Sequence, residues 1–229
     1  TSQFISSAVS LEQVGGLRVI LGVEASHEQQ TLVGLVARSR TGLGVSGASG
    51  KALPDNQVEV DLPGYTNQAV AAGALSAQGE LRFIDVGQTA LPLGATVSAG
   101  QYPTILTGDD INQSSVRAMV DQQHAQPVVI FAFLTENGAA QKFAQYTGSH
   151  IGSYLTVTLD GKVIESATIQ AEIAGLVQIG GLPSLTAAQT LAAEMKSAAL
   201  PTPVTLVSAT IVQKGAAQAG GGGAYMLPR

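Results

Sequence analysis

The chain has 229 residues, a formal net charge of −5, 12% charged residues and no cysteine. Eleven Lys and Arg scattered singly exclude the basic face of a nucleic-acid binder and make an anionic membrane surface a poor partner, and without Cys there are neither disulfides nor thiolate metal sites. No apolar run approaches the ~20 residues of a membrane helix and no charged-then-apolar leader opens at Thr1, so the sequence reads as a soluble fragment or mature domain, with room for one large domain or two small ones.

Leu17, Val19, Leu21 and Val23 alternate with Arg18, Ile20, Gly22 and Glu24, the period of a strand. Ser26 stands three residues before Gln29, a capping-box spacing, and the predicted helix carries Leu32, Val33 and Val36 and stops at Gly42 and Gly44. A short strand is expected near Val45. Val58, Val60 and Leu62 alternate in another, closed by Pro63-Gly64. Asn67 caps an Ala-rich helix to about Ala77, and Leu81 to Val86 is again a strand. The order β-α-β-β-α-β is the signature of a ferredoxin-like layer.

From Leu91 to Gln101 the chain is loop-like, and a boundary is expected there. Beyond it come a strand at Val128 to Leu134 and a helix from about Asn137 carrying Ala140, Phe143 and Tyr146 or Thr147. Leu155, Val157 and Leu159 then run into Asp160-Gly161, the strongest two-residue hairpin signal, since a type I′ turn needs positive φ at both positions. A last helix presents Leu185, Ala188, Leu191, Ala192 and Met195 behind a Ser184 or Thr186 cap. Pro201 and Pro203 end it, and Val204 to Val212 is extended. That late strand lacks a partner in its own segment and is expected to return to the first sheet. After Lys214 the run Gly220 to Gly223 reads as a flexible linker or a cloning remnant.

Motifs that carry chemistry are weak. Gly47-Ala48-Ser49-Gly50-Lys51 fails as a phosphate loop, because Val45 and Ala52 stand where glycine and a hydroxyl are required. His27, His124 and His150 are too dispersed for a metal-spacing argument. Asp109 or Asp110 is read as the cap of a turn, and Glu136 with Asn137 as the start of a helix. No catalytic, cofactor or metal residue is assigned. Phe131, Phe133, Phe143 and Tyr146 are read first as core. Their alternative role is an exposed apolar surface that grips unfolded polypeptide.

An ordered series of motifs goes further. Ser10-Leu11-Glu12-Gln13-Val14-Gly15-Gly16 leads into the first strand, and Leu62-Pro63-Gly64 ends a later one. Leu106-Thr107-Gly108-Asp109-Asp110, Leu159-Asp160-Gly161, Ile179-Gly180-Gly181-Leu182 and Leu200-Pro201-Thr202-Pro203 follow in order. The series resembles the first extracytoplasmic (P1) domain of the SecD/SecDF protein-export family, from about Leu11 to Val212. Three departures stand out: Thr168 replaces the usual proline after Ser166-Ala167, Ala198 a glycine, and no Val-Gly-Pro lead into a membrane helix follows Val212. The last fits a fragment cut before the membrane.

The fold expected is α+β: a ferredoxin-like base of residues 1–97 and 201–214 and an inserted α+β head at 98–200, with 215–229 as tail. Val97, Gly100 and Gln101 on one crossing and Ala199, Leu200 and Pro201 on the other are the expected hinge. The resemblance implies unfolded preprotein, SecF and the SecYEG translocon as partners, no nucleic acid, no cofactor and no catalysis. It also implies flanking membrane helices outside this chain, a place on the periplasmic face of the cytoplasmic membrane, and movement driven by the proton motive force. The rival reading is a porter domain of a related proton-driven exporter of the RND superfamily, which also uses ferredoxin-like modules.

Overall fold

The structure is a computed structural model that describes residues 10–215. The chain begins with α1 (Leu11–Val14) and β1 (Gly16–Gly22). In β1 the alternation is realised: Leu17, Val19 and Leu21 are fully buried, while Arg18 on the opposite face donates to both carboxylate oxygens of Asp61 at 2.8 and 2.9 Å. α2 (Glu28–Thr41) follows a single 3-10 turn. Ser26 lies in that turn and does not cap the helix, since its hydroxyl is engaged with Glu24 and His27. The buried stripe of α2 is Thr31, Leu32, Leu35, Arg38 and Ser39, whereas Val33 is 60% exposed.

The short strand expected near Val45 is β2 (Ser49–Leu53); Val45 itself lies in the preceding turn, buried with Ala48 against the sheet. β3 (Gln57–Pro63) buries Val58, Val60 and Leu62, and α3 (Gln68–Ser76) opens on Asn67, whose side chain accepts the Val70 N–H.

β4 (Leu81–Asp85) has the expected alternation and an unexpected partner. It pairs with β5 (Thr104–Thr107) and β8 (Tyr154–Leu159), not with the first sheet. A three-stranded sheet is built from β6 (Arg117–Asp121), β7 (Gln126–Phe131) and β10 (Val177–Ile179). Between its strands the chain forms α4 (Ala139–Ser149) and the hairpin of β8 (Tyr154–Leu159) and β9 (Lys162–Thr168). Asp160 and Gly161 turn that hairpin at φ 49° and 72°. β10 (Val177–Ile179) and α5 (Leu185–Met195) complete this part, with Ser184 capping α5 through the Ala187 N–H.

Finally β11 (Thr205–Val212) runs antiparallel to β1, Leu17 facing Ile211, so the late strand does return to the first sheet. The order β11-β1-β3-β2, with α2 and α3 in the connections, is a β-α-β-β-α-β layer whose fourth strand is β11. The strand expected in that place, Leu81 to Val86, sits in the order β5-β4-β8-β9.

The apolar cores divide the same way. One gathers Leu17, Leu35, Val60 and Leu62 with Leu200; the other gathers Phe83, Phe131, Phe133 and Phe143 with Leu191. Residues 81–97, expected in the base, therefore lie in the second unit by pairing and packing. Val97 is 5% exposed, packs with Ile84 and Val163, and donates its N–H to Gly161 O. Gly100 and Gln101 follow in a turn closed by the Gln101 N–H on Ser98 O. The expected crossing at Val97 to Gln101 is thus internal to the second unit. The tail glycines Gly220 to Gly223 lie outside the described residues.

Candidate functional site

The chain leaves the first unit through Ala77–Glu80 and comes back through Ser197–Val204, and the two crossings touch. Leu200 donates its N–H to Gln78 O at 2.8 Å, and Gln78 Nε2 donates to Leu200 O at 3.2 Å. Of the expected hinge residues, Ala199, Leu200 and Pro201 lie on this return path. Leu200 is 2% exposed and plugs the core of the first unit.

Over the crossings lies Arg38, on the buried stripe of α2 and itself fully buried. All five of its N–H groups are used. Nε donates to Ser197 Oγ (2.8 Å), Nη1 to Ala74 O (2.9 Å) and Ala77 O (2.6 Å), and Nη2 to Gln78 O (3.0 Å) and Ala198 O (3.1 Å). One planar fork from the first unit thereby fastens both crossings, which a lysine with three donors on a flexible stem cannot copy. The backbone makes room for it. Gly79 has φ +82°, and a Cβ there would stand 2.7 Å from Arg38 Nη2.

Asp160, at the tip of the β8–β9 hairpin, reaches the outgoing crossing from the other side. Its carboxylate accepts the Gln78 N–H at 3.1 Å and the Glu80 N–H at 2.8 Å. The same residue that gives the turn its left-handed backbone also caps the crossing.

Glu194, on α5, is 4% exposed, and its Oε2 has no hydrogen-bond partner. Burial pushes its carboxyl up to about 8; Arg38 pulls it down and Asp160 adds to the rise. Burial likewise lowers the Arg38 guanidinium, against the opposing charges of Glu194 and Asp160. Glu194 lines a partly open cavity of about 170 Å³ with Gly79, Glu80, Arg82, Asp109 and Ser197. The helix seam alongside is built from small groups: a Cβ at Gly42 would come within 2.4 Å of Ala193 O. At Gly73 of α3 the approach is also close, a Cβ there standing 2.8 Å from Thr190 Cγ2 of α5.

Of the four aromatic residues read first as core and alternatively as a preprotein-gripping surface, the three phenylalanines are core. Phe131, Phe133 and Phe143 are 0%, 4% and 1% exposed and form one cluster with Phe83, with ring centroids 4.6 to 6.2 Å apart. Tyr146 is half-buried beside them and stacks on His150 at 4.2 Å. They pack because β7 and α4 face inward over β4, so their apolar sides fill the second core. Exposed apolar side chains of this unit include Leu93, Ile151 and Leu176 and, on the edge strand β6, Met119 and Val120, each 42% exposed.

Among the described residues no three His, Asp or Glu converge as metal ligands: His27 lies by Glu24, His124 by Asp121 and His150 on Tyr146. Asp110 accepts the Thr107 N–H as a turn cap. Arg38, Glu194 and the outgoing crossing were missed from sequence. Their one signal is position, since Arg38 and Glu194 stand three residues after the buried Leu35 and Leu191.

Comparison with known proteins places these features in context. Residues 93–202 match the family described as the SecDF P1 head subdomain. The protein translocase subunit SecD of Thermobaculum terrenum is 26% identical over 276 residues, covering 88% of this chain and 53% of that protein. The subunit SecDF of Thermus thermophilus is 30% identical over 229 residues, covering 86% of this chain and 30% of its own length. The chain thus spans about half of the first relative and under a third of the second. A solved structure of SecDF, a membrane component that enhances protein export, superposes with a TM-score of 0.62 at 25% identity, covering 83% of this chain and 98% of that one. No helix among the described residues is long and apolar enough to cross a membrane.

Proposed function

This chain belongs to the SecD/SecDF family of protein translocase subunits, and from that premise we propose that it is the periplasmic P1 part of a Sec accessory protein, gripping emerging preprotein and promoting its export by movement between two units. The base is residues 10–76 with 205–215, and the head is 81–196. The membrane part, outside this chain, couples that movement to the proton motive force, with SecF and SecYEG as partners. The role is mechanical and needs no catalytic residue.

The observation that carries this reading is the pair of short crossings under Arg38. Two separate cores joined by two strands of chain, which Arg38 fastens by hydrogen bonds, is the anatomy of a hinge. The hinge proper is Ala77–Glu80 and Ser197–Val204.

Preprotein contact falls to β6. An unfolded chain carries unpaired backbone groups, and a sheet edge accepts them whatever the side chains are. Among the described residues no strand pairs with the outer edge of β6, and Met119 and Val120 add apolar area there. A photoreactive residue placed at Met119 or Val120 should capture a stalled export substrate. Capture at neither, with efficient capture elsewhere on the head, would move the binding surface.

A further inference from the structure

We propose that Glu194 is a proton-controlled latch on the hinge: protonated, it leaves Arg38 free to clasp both crossings, and ionised, it draws the guanidinium off Ser197 and Ala198 and releases the return crossing. The proposal rests on the reading that the two units move about those crossings.

The geometry sets out two competing states. In the clasped arrangement every N–H of Arg38 has an acceptor, so none is left for Glu194. Glu194 is correspondingly unpaired, with Oε2 buried and partnerless, a position a neutral carboxyl tolerates and a carboxylate does not. When the carboxyl O–H bond breaks, the proton leaves to solvent through the cavity that Glu194 lines. The negative charge left behind is drawn to the buried Arg38, the cation that already pulls this carboxyl down. Ser197 and Ala198, the acceptors on the α5 side, are the contacts that Arg38 must surrender to answer it. Backbone carbonyls are neutral acceptors, and a carboxylate forms the stronger bond with guanidinium.

Burial favours the clasped state at neutral pH, against the pull of Arg38 and with Asp160 adding to it. From the β8–β9 turn Asp160 opposes ionisation, and Glu80 and Asp109 face the same cavity. Arg82 on β4 lines that cavity too, beside Glu80. α3 offers no titratable side chain, while α5 itself carries Lys196 and β6 carries Arg117. Burial outweighs the pull of Arg38 and holds the carboxyl near 8, within reach of a modest shift in pH.

The chain has no native cysteine, so Val33→Cys and Ile151→Cys, each replacing a side chain 60% exposed, give one spin-label site on each unit. Inter-label distances are measured from pH 6 to 10. The latch requires a change of distance distribution with a midpoint near 8, its loss in Glu194→Gln, and a lower midpoint in Asp160→Asn. The Asp160→Asn titration keeps the proposal testable if Glu194→Gln fails to fold. A distribution independent of pH, or the same titration in Glu194→Gln, overturns it. If distances change in Ser197→Ala but never with pH, the hinge stands and proton control falls. If no variant and no pH changes them, both fall.

Discussion

Arg38 and Ser197, 159 residues apart in sequence, meet at 2.8 Å through Nε and Oγ, and that contact ties α2 of the first unit to the returning crossing. The N–H groups of Arg38 reach four backbone carbonyls besides, that of Ala74 in α3 and three on the crossings, at Ala77, Gln78 and Ala198. The junction is therefore organised by one side chain.

Arg38→Met should be severe. It strands several buried acceptors and deletes a charged donor set, a loss of about 3–5 kcal/mol. Arg38→Lys keeps charge and length with fewer donors and should fall between. Urea unfolding midpoints check the order wild type, Arg38→Lys, Arg38→Met.

Glu194 makes stability depend on pH with a definite sign. Its carboxyl sits near 8 in the folded chain against an ordinary 4.5, so the folded state holds a proton that the unfolded state gives up. The contribution is complete below about pH 4.5 and is lost as pH rises through 8. At about 1.4 kcal/mol per unit of separation, the loss is on the order of 3–5 kcal/mol. Glu194→Gln should remove this slope, and its advantage over wild type should grow between pH 5 and pH 9 in urea titrations.

The aromatic cluster is structural. Phe133→Ala, which empties a site touching Phe83, Phe131 and Phe143, should cost about 3–5 kcal/mol in the same measurement. A photoreactive residue at Phe131 should capture no polypeptide, because that position is fully buried.

Local signals were legible in the sequence wherever chemistry is local. Asn67 and Ser184 cap their helices, Asp160-Gly161 turns its hairpin, and the alternation at Leu17, Val19 and Leu21 faces the core as expected. Alternation identifies a strand but not its neighbour, which is why Leu81–Asp85 was assigned to the wrong sheet and the outgoing crossing placed at Val97 instead of Ala77. Ser26 had the spacing of a cap and found nearer partners in Glu24 and His27. Arg38 and Glu194 belong to no local motif; each only stands three residues after a core leucine. What buries them is the contact of α2 with the return crossing and α5, a long-range fact that no local pattern encodes.

The claim that the two units must move for export is tested most directly by locking them. A Cβ built on Gly73 of α3 would stand 3.7 Å from Thr190 Cβ of α5, inside the range of a disulfide. Gly73→Cys with Thr190→Cys, in the full-length protein, gives a bond that reductant reverses. Translocation into inverted membrane vesicles should stop when the pair is oxidised and return on reduction, with the fold unchanged in both. Full translocation with the bond shown to be closed would contradict the account.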